Sequence, residues 1–234
     1  MSKLLIVIPS YNEADNIENV IEDWYKVIEK IGSESRLVIF DGSSKDGTDE
    51  IIRNLQKNMP QLDLQIFPKC GHGATLHIAY NYALDVGAEY VFQTDADGQT
   101  ISSEFWDFWA QREQYGMQVG YRKRRQDGFG RLIVTRTLRL ILFLSFGLWI
   151  PDANTPFRLI SAATLKKHIC RIPEGHNLTN VLLTVSIEKA KEEVRYQEIT
   201  FRPRQGGENS INFKQICKIG LRAIKDFSSI RHSI

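Results

Sequence analysis

Asp95 and Asp97, followed by Gln99, set two carboxylates and an amide directly after the apolar run 90–94. Oxygen donors of this kind suit a hard divalent cation such as Mg²⁺ or Mn²⁺, which takes few protein ligands and shares the rest of its shell with phosphate oxygens. Asp95, Asp97 and Gln99 are therefore the candidate metal ligands, and the ion would neutralise a diphosphate leaving group. The plainer account is an Asx turn closed at Gly98, since Asp and Gly are ordinary turn residues.

Two other apolar runs end on polar groups. Ile6-Val7-Ile8 runs through Pro9 into Ser10, Tyr11, Asn12 and Glu13, and a second run ends at Asp41-Gly42-Ser43. Tyr11 beside a base or ribose, Glu13 on ribose hydroxyls and Asp41 accepting a base N–H would make one wall of a nucleotide site. Asn12 or Asp15 would equally serve as helix caps facing the same strand ends. Gly71-His72-Gly73 lacks the third glycine of a dinucleotide fingerprint, because position 76 is Leu76. It reads instead as a tight strand-to-helix turn beside that site, with His72 either touching the ligand or shaping the turn.

The elements that must position these groups follow from hydrophobic period. Short β-branched runs at 4–8, 37–40, 62–67 and 90–94 alternate with helical patterns at 14–31, 48–57 and 74–86. That alternation predicts βαβ units and a mainly parallel sheet. Ligands of such sheets gather beyond the carboxyl ends of the strands, where every group above falls. The second half holds a Gly/Arg-rich loop (120–131), an apolar helix (132–148) and a kinked segment (151–156). A helix (177–191), a strand (194–201), a polar loop (202–210) and a final amphipathic helix to about residue 227 complete it.

With 234 residues, 42% hydrophobic and 25% charged, the chain can bury one α/β core. One domain is expected over 1–234, with a nucleotide-binding half at 1–119 and an acceptor-binding half at 120–234. A net charge of +2 is too mild for a protein that grips nucleic acid through its phosphates. Cys70, Cys170 and Cys217 are odd in number and lack zinc spacing, which suggests reduced thiols in the cytoplasm. The N-terminus runs from Lys3 straight into an apolar strand and does not read as a signal peptide. The charge-free run 140–150 falls short of the roughly 20 residues needed to span a bilayer. Asn177-Leu178-Thr179 fits a glycosylation sequon that a cytoplasmic chain would not use.

Val7-Ile8-Pro9-Ser10-Tyr11-Asn12-Glu13, the stretch from Phe40 to Thr48, and Thr94-Asp95-Ala96-Asp97-Gly98-Gln99 resemble successive signatures of family 2 glycosyltransferases. The resemblance covers most of the chain. It implies a GT-A α/β fold with a mainly parallel central sheet flanked by helices. It also implies metal-dependent, inverting transfer of a sugar from a UDP- or GDP-sugar. On that likeness Pro9, Tyr11, Glu13, Asp41, Asp95, Ala96 and Arg202 bind the donor nucleotide.

The later motifs resemble the dolichyl-phosphate mannosyltransferase branch, whose acceptor is a polyprenyl phosphate. Arg122, after a fifth strand, and Arg131 with Thr135 match positions that contact the acceptor phosphate there, and Arg and hydroxyl groups suit a phosphate oxyanion. A solvated basic loop over 122–125 is the plain alternative. The helix 132–148 is apolar on nearly every face apart from Arg136 and Arg139, so it is either buried or pressed against a peripheral membrane surface.

Residues 152–158 resemble the family segment Asp-x-x-Ser-Gly-Phe-Arg, with Pro156 in place of the glycine. Asp152 would be the general base for a hydroxyl acceptor, and Arg158 is grouped with it as catalytic. Arg202, Arg204, Gly207 and Ser210 resemble the loop that closes over the donor diphosphate, one residue longer and without its lysine. Arg204 would stabilise the leaving group as a third catalytic residue. Two alternatives stand beside transfer to a polyprenyl phosphate: a glycan or lipid-linked oligosaccharide hydroxyl as acceptor, and a non-catalytic sugar-nucleotide or lipid-binding protein. A nucleotidyltransferase is disfavoured, because Pro9-Ser10-Tyr11 stands where its Gly-rich loop would have to be.

Overall fold

The computed structural model describes residues 3–122, 129–202 and Phe227, with the side chains of 129–136 outside that description. At its centre lies β1 (Leu4–Ser10), buried along its whole length. It runs parallel to β2 (Arg36–Asp41) on one side and to β4 (Tyr90–Gln93) on the other, with β3 (Leu62–Ile66) parallel beyond β2. A strand covered on both faces needs apolar side chains at successive positions rather than alternating ones. Leu4, Ile6 and Ile8 pack in the cluster that holds Ile17, Ile21 and Trp24 of α1 (Ile17–Ile31). Leu5 and Val7 pack in the opposite one, with Leu76, Ala79 and Tyr80 of α3 (His72–Asp85).

The chain leaves β1 towards β2 by way of α1 and reaches β4 by way of α3 on the other face, after α2 (Thr48–Gln56) and β3. Connections diverging to opposite faces open a crevice beyond the carboxyl ends of β1 and β4. That crevice receives Pro9–Tyr11 from one strand and Asp95–Asp97 from the other.

The second half extends the sheet in the order β3-β2-β1-β4-β6-β5-β7. Here β5 (Met117–Tyr121) and β7 (Val194–Glu198) pair parallel, while β6 (Arg158–Ser161) runs antiparallel between β4 and β5. The expected mainly parallel sheet is thus present, with one reversed strand. Helices α5 (Phe129–Phe146) and α7 (Thr179–Lys189) correspond to the expected 132–148 and 177–191. α4 (Phe105–Ala110), α6 (Ala162–Ile169) and β6 were not anticipated. α1 begins at Ile17 rather than near 14, because residues 14–16 form a turn in which the N–H groups of Asn16 and Ile17 both donate to the Glu13 carbonyl. Of the expected final helix only Phe227 is described; it is buried, with its ring centroid 5.4 Å from that of Phe146. Among the described residues no helix is long and apolar enough to cross a membrane.

Candidate active site

A cleft of about 340 Å³ opens at the crevice, lined by Pro9, Ser10, Tyr11, Glu13, Gly42, Lys69–His72, Thr75 and Asp95–Asp97. Its first wall is stitched together by its own loops. The Asn12 N–H donates to Ser44 Oγ at 2.8 Å and Asn12 Oδ1 accepts from the Lys45 N–H at 2.9 Å. Asp46 accepts from the N–H groups of Ala14 and Thr48. Burial opposes the charge on Asp46, but the hydrogen bonds from Thr48 and Ala14 outweigh it and hold the carboxyl below its ordinary pKa. Neither Asn12 nor Asp15 supplies a side-chain cap to α1; Asn12 adopts a left-handed backbone (φ 54°) to bridge the two loops.

Asp41, read as a base contact, lies just behind this wall. It is fully buried, with Oδ2 accepting from the Ser44 N–H at 2.8 Å and Oδ1 from the Ser44 hydroxyl. Its carboxylate shapes the turn after β2, and Gly42 rather than Asp41 faces the cleft. Lys69 lines the same wall, its Nζ 3.5 Å from the centroid of the Tyr11 ring. Lys69 went unread in the sequence, although it follows the carboxyl end of β3, where the strand-end rule directs attention. Glu13 also borders the cleft, its carboxylate accepting from Asn16 Nδ2 at 3.0 Å.

On the opposite wall Asp95 Oδ1 accepts from Gln93 Nε2 at 3.1 Å and lies 3.9 Å from His72 Nε2. Asp97 Oδ1 accepts the Gln99 N–H at 3.1 Å, so the Asx turn forms while the side chain still lines the cleft. Gln99 does not join them. Its side chain is buried, with Nε2 donating to the Arg202 carbonyl at 2.8 Å, and its own carbonyl accepts the Arg202 N–H. Gln99 therefore pins residue 202 instead of facing a metal, and Arg202 borders a neighbouring cleft with Asn16, Asp23 and Thr100.

Two adjacent carboxylates fit a hard ion that completes its shell with phosphate oxygens. Among the described residues, no group of three or more His, Cys, Asp or Glu is placed to hold a metal by itself. The start of α3 borders the same cleft through Gly71, His72 and Thr75, which turns the positive end of its dipole towards an anionic ligand. That approach depends on small residues. Gly71 has φ +95°, and a Cβ on Gly73 would lie 2.4 Å from the backbone of Asn177.

Two of the residues expected on the acceptor side meet one another. Arg122 Nε and Nη2 donate to the two oxygens of Asp152 at 2.8 and 3.1 Å, with the side chains only 10% and 6% exposed. The guanidinium also lies over the Phe201 ring, 4.7 Å from its centroid. Arg158, read as catalytic, is fully buried. It donates to the carbonyls of Ala153, Thr155 and Asn180 and to Thr184 Oγ1 at 3.0–3.2 Å. These donors fold the segment behind Asp152 and do not reach the cleft. Arg131 and Thr135 lie on α5 with side chains outside the described residues, as are Arg204, Gly207 and Ser210.

α5 proves two-faced. Ile141 and Leu142 are buried, whereas Leu140, Phe143 and Leu144 are 52%, 46% and 73% exposed and Trp149 beyond the helix is 64% exposed. Arg139 lies over the Trp149 ring at 5.6 Å and donates to the Pro151 carbonyl.

The family model described as glycosyl transferase family 2 matches residues 5–168. The chain belongs to glycosyltransferase family 2. Among curated relatives of this family 2 chain, the succinoglycan biosynthesis protein ExoA of Rhizobium meliloti is 38% identical over 94 residues, 40% of this chain and 28% of its own. A dolichyl-phosphate beta-glucosyltransferase of Trichomonas vaginalis is 31% identical over 105 residues, 42% of this chain and 30% of its own. The chain thus matches less than a third of the length of these relatives. Among solved structures, glucosyl-3-phosphoglycerate synthase from Mycobacterium tuberculosis, in complex with Mn²⁺ and UDP-glucose, aligns with a TM-score of 0.68 at 15% identity. That alignment covers 98% of this chain and 79% of that one. Mannosyl-3-phosphoglycerate synthase from Rubrobacter xylanophilus aligns with a TM-score of 0.65 at 15% identity, over 100% and 76%. The chain shares the GT-A fold with both.

Proposed function

We propose that this glycosyltransferase moves a sugar, with inversion, from a UDP- or GDP-sugar to a polyprenyl phosphate at a membrane surface. The observation that carries the donor side is the convergence of Tyr11, Lys69, Asp95, Asp97 and the start of α3 on one cleft at the switch point of the sheet. The base lies against Tyr11 beside Lys69, Glu13 meets the ribose hydroxyls, and the diphosphate lies between α3 and the two aspartates. Asp95 and Asp97 would hold Mg²⁺ or Mn²⁺, which when bound neutralises charge on the departing diphosphate. The Mn²⁺ and UDP-glucose of the mycobacterial neighbour agree with this reading.

The Arg122–Asp152 pair supports a phosphate acceptor. A hydroxyl must lose its proton as it attacks, and both oxygens of Asp152, the candidate base, are already engaged by Arg122. A phosphate monoester is already ionised and attacks without a base. The exposed apolar side of α5 and Trp149 suits a polyprenyl chain and the lipid around it. The relative from Trichomonas vaginalis carries such an acceptor in its name.

The succinoglycan protein among the relatives favours a second reading, in which the acceptor is a glycan hydroxyl. Release of UDP or GDP from a panel of nucleotide sugars tests both, with Mn²⁺, Mg²⁺ or EDTA and with or without undecaprenyl or dolichyl phosphate. Metal-dependent release that requires the lipid phosphate is expected. Release without it would move the acceptor to a hydroxyl, and nucleotide binding without release would leave a sugar-nucleotide binding protein.

A further inference from the structure

We infer that Asn180 is a positioning residue of the transfer site, fixing the Asp95 carboxylate through Gln93 from the start of α7. The inference rests on the reading of Asp95 as part of the donor site.

The direction of every hydrogen bond follows from Asp95. An ionised carboxylate only accepts, so the Gln93 amide must present nitrogen to Asp95 Oδ1, as it does at 3.1 Å. Gln93 Oε1 then faces the other way and accepts from Asn180 Nδ2 at 3.0 Å. Asn180 Oδ1 is left as an acceptor, and the Tyr80 hydroxyl fills it at 2.8 Å. Burial pushes the Tyr80 phenol up, with Asp95 adding to the shift and Arg158 opposing it, so the hydroxyl keeps its proton and remains a donor. Turning either amide over would set oxygen against oxygen.

All three supporting side chains, Tyr80, Gln93 and Asn180, are at most 2% exposed. A polar chain of this depth is maintained only when each member is satisfied, since one unpaired buried group costs more than the chain gains. Gln93 lies on β4 and Tyr80 on α3, so the relay ties a sheet strand and the helix bordering the cleft to one residue of α7.

Asn180 is itself immobilised. Its carbonyl accepts from Arg158 Nη1 at 3.2 Å and from the Thr184 hydroxyl at 2.8 Å. The preceding Thr179 donates its hydroxyl to the Gly73 carbonyl at 2.8 Å. The end of the relay remote from Asp95 is therefore anchored in the core, and the end that meets the cleft inherits that rigidity.

The test is Asn180→Asp in the full-length protein, which replaces the one nitrogen that faces Gln93. Gln93 must then turn its own nitrogen towards residue 180 and bring Oε1 against Asp95. Binding of UDP and of GDP is measured by calorimetry across a Mn²⁺ titration, alongside the unfolding temperature. The Mn²⁺ concentration for half-maximal nucleotide binding should rise about tenfold or more, as it does when a partner that orients a metal ligand is lost, with affinity at saturating Mn²⁺ nearly unchanged. Gln93→Met, of similar length, cuts the same relay at its other link and should give the same shift if Asn180→Asp fails to fold. A merely structural role would lower the unfolding temperature and the competent fraction while leaving the half-maximal Mn²⁺ concentration at the wild-type value, and that result overturns the inference. Asp95→Asn is the control: if it binds nucleotide with wild-type Mn²⁺ dependence, the donor-site reading itself falls and takes the inference with it.

Discussion

Arg122 closes over both oxygens of Asp152 in a nearly buried, two-pronged pair, joining the residue matched to an acceptor phosphate to the residue matched to a general base. Each therefore has its charge balanced by the other before any substrate arrives.

Breaking one half of the pair takes from the other its two-pronged partner at a nearly buried site. Arg122→Met should cost about 3 kcal/mol of stability, and Arg122→Met with Asp152→Leu should cost markedly less, because the desolvation penalty disappears with the second charge. Chemical denaturation of the two variants measures this. On the activity side, Asp152→Asn should retain turnover with a polyprenyl phosphate acceptor once its folded fraction is accounted for. Abolished turnover in a fully folded Asp152→Asn would point to a hydroxyl acceptor.

Asp97 serves a turn and lines the cleft at once, and one substitution separates the two roles. Asn at 97 can still accept the Gln99 N–H and keep the Asx turn, but it removes the negative charge. Asp97→Asn should unfold within about 1 kcal/mol of wild type, as replacements that keep a local hydrogen bond generally do. Its Mn²⁺-dependent nucleotide binding should fall at least about tenfold, by loss of an anionic ligand. Wild-type binding in this variant would reduce Asp97 to a turn residue.

The sequence disclosed β1, β2 and β4 because strands buried on both faces must be apolar at successive positions, and the strand-end rule then located Tyr11, Glu13, Asp95 and Asp97. It hid β6, which is four residues long and opens on Arg158, a charge that is buried only because carbonyls from residues 153, 155 and 180 converge on it. The partner of Gln99 is illegible for a related reason: its amide nitrogen donates to the Arg202 carbonyl, 103 positions away, and no local spacing reports so distant a partner. Asp41 shows the opposite case, a local turn with Ser44 that is legible as turn chemistry beside its reading as a base contact.

Lys69 stands over Tyr11 where a base is expected to lie, contributing both a cation–π contact and a hydrogen-bond donor at the rim of the cleft. Lys69→Met keeps the length of the side chain and removes the charge. Affinity for the nucleoside diphosphate should drop by about 1 kcal/mol, the size of a partly exposed cation–π interaction. Calorimetric titration with UDP and GDP measures it, and a change confined to one of the two would identify the base.

The exposed side of α5 supplies the last prediction. Leu140, Phe143 and Leu144 fall at helical spacing on one side of the helix, and Trp149 continues the apolar surface beyond it, carrying Arg139 against its ring. Amphipathic aromatics beside a guanidinium favour the boundary between headgroups and acyl chains. Leu144→Ser with Trp149→Ser removes the two most exposed of these side chains without touching Ile141 and Leu142 beneath. Partitioning onto vesicles containing anionic lipid should weaken by roughly tenfold or more, since each fully inserted large apolar side chain is worth about 1.5–3 kcal/mol. Donor-nucleotide binding in solution should stay at the wild-type level, because neither Leu144 nor Trp149 lines the cleft. Undiminished vesicle binding would remove the apolar side of α5 as the membrane contact and leave the acceptor to be delivered from solution.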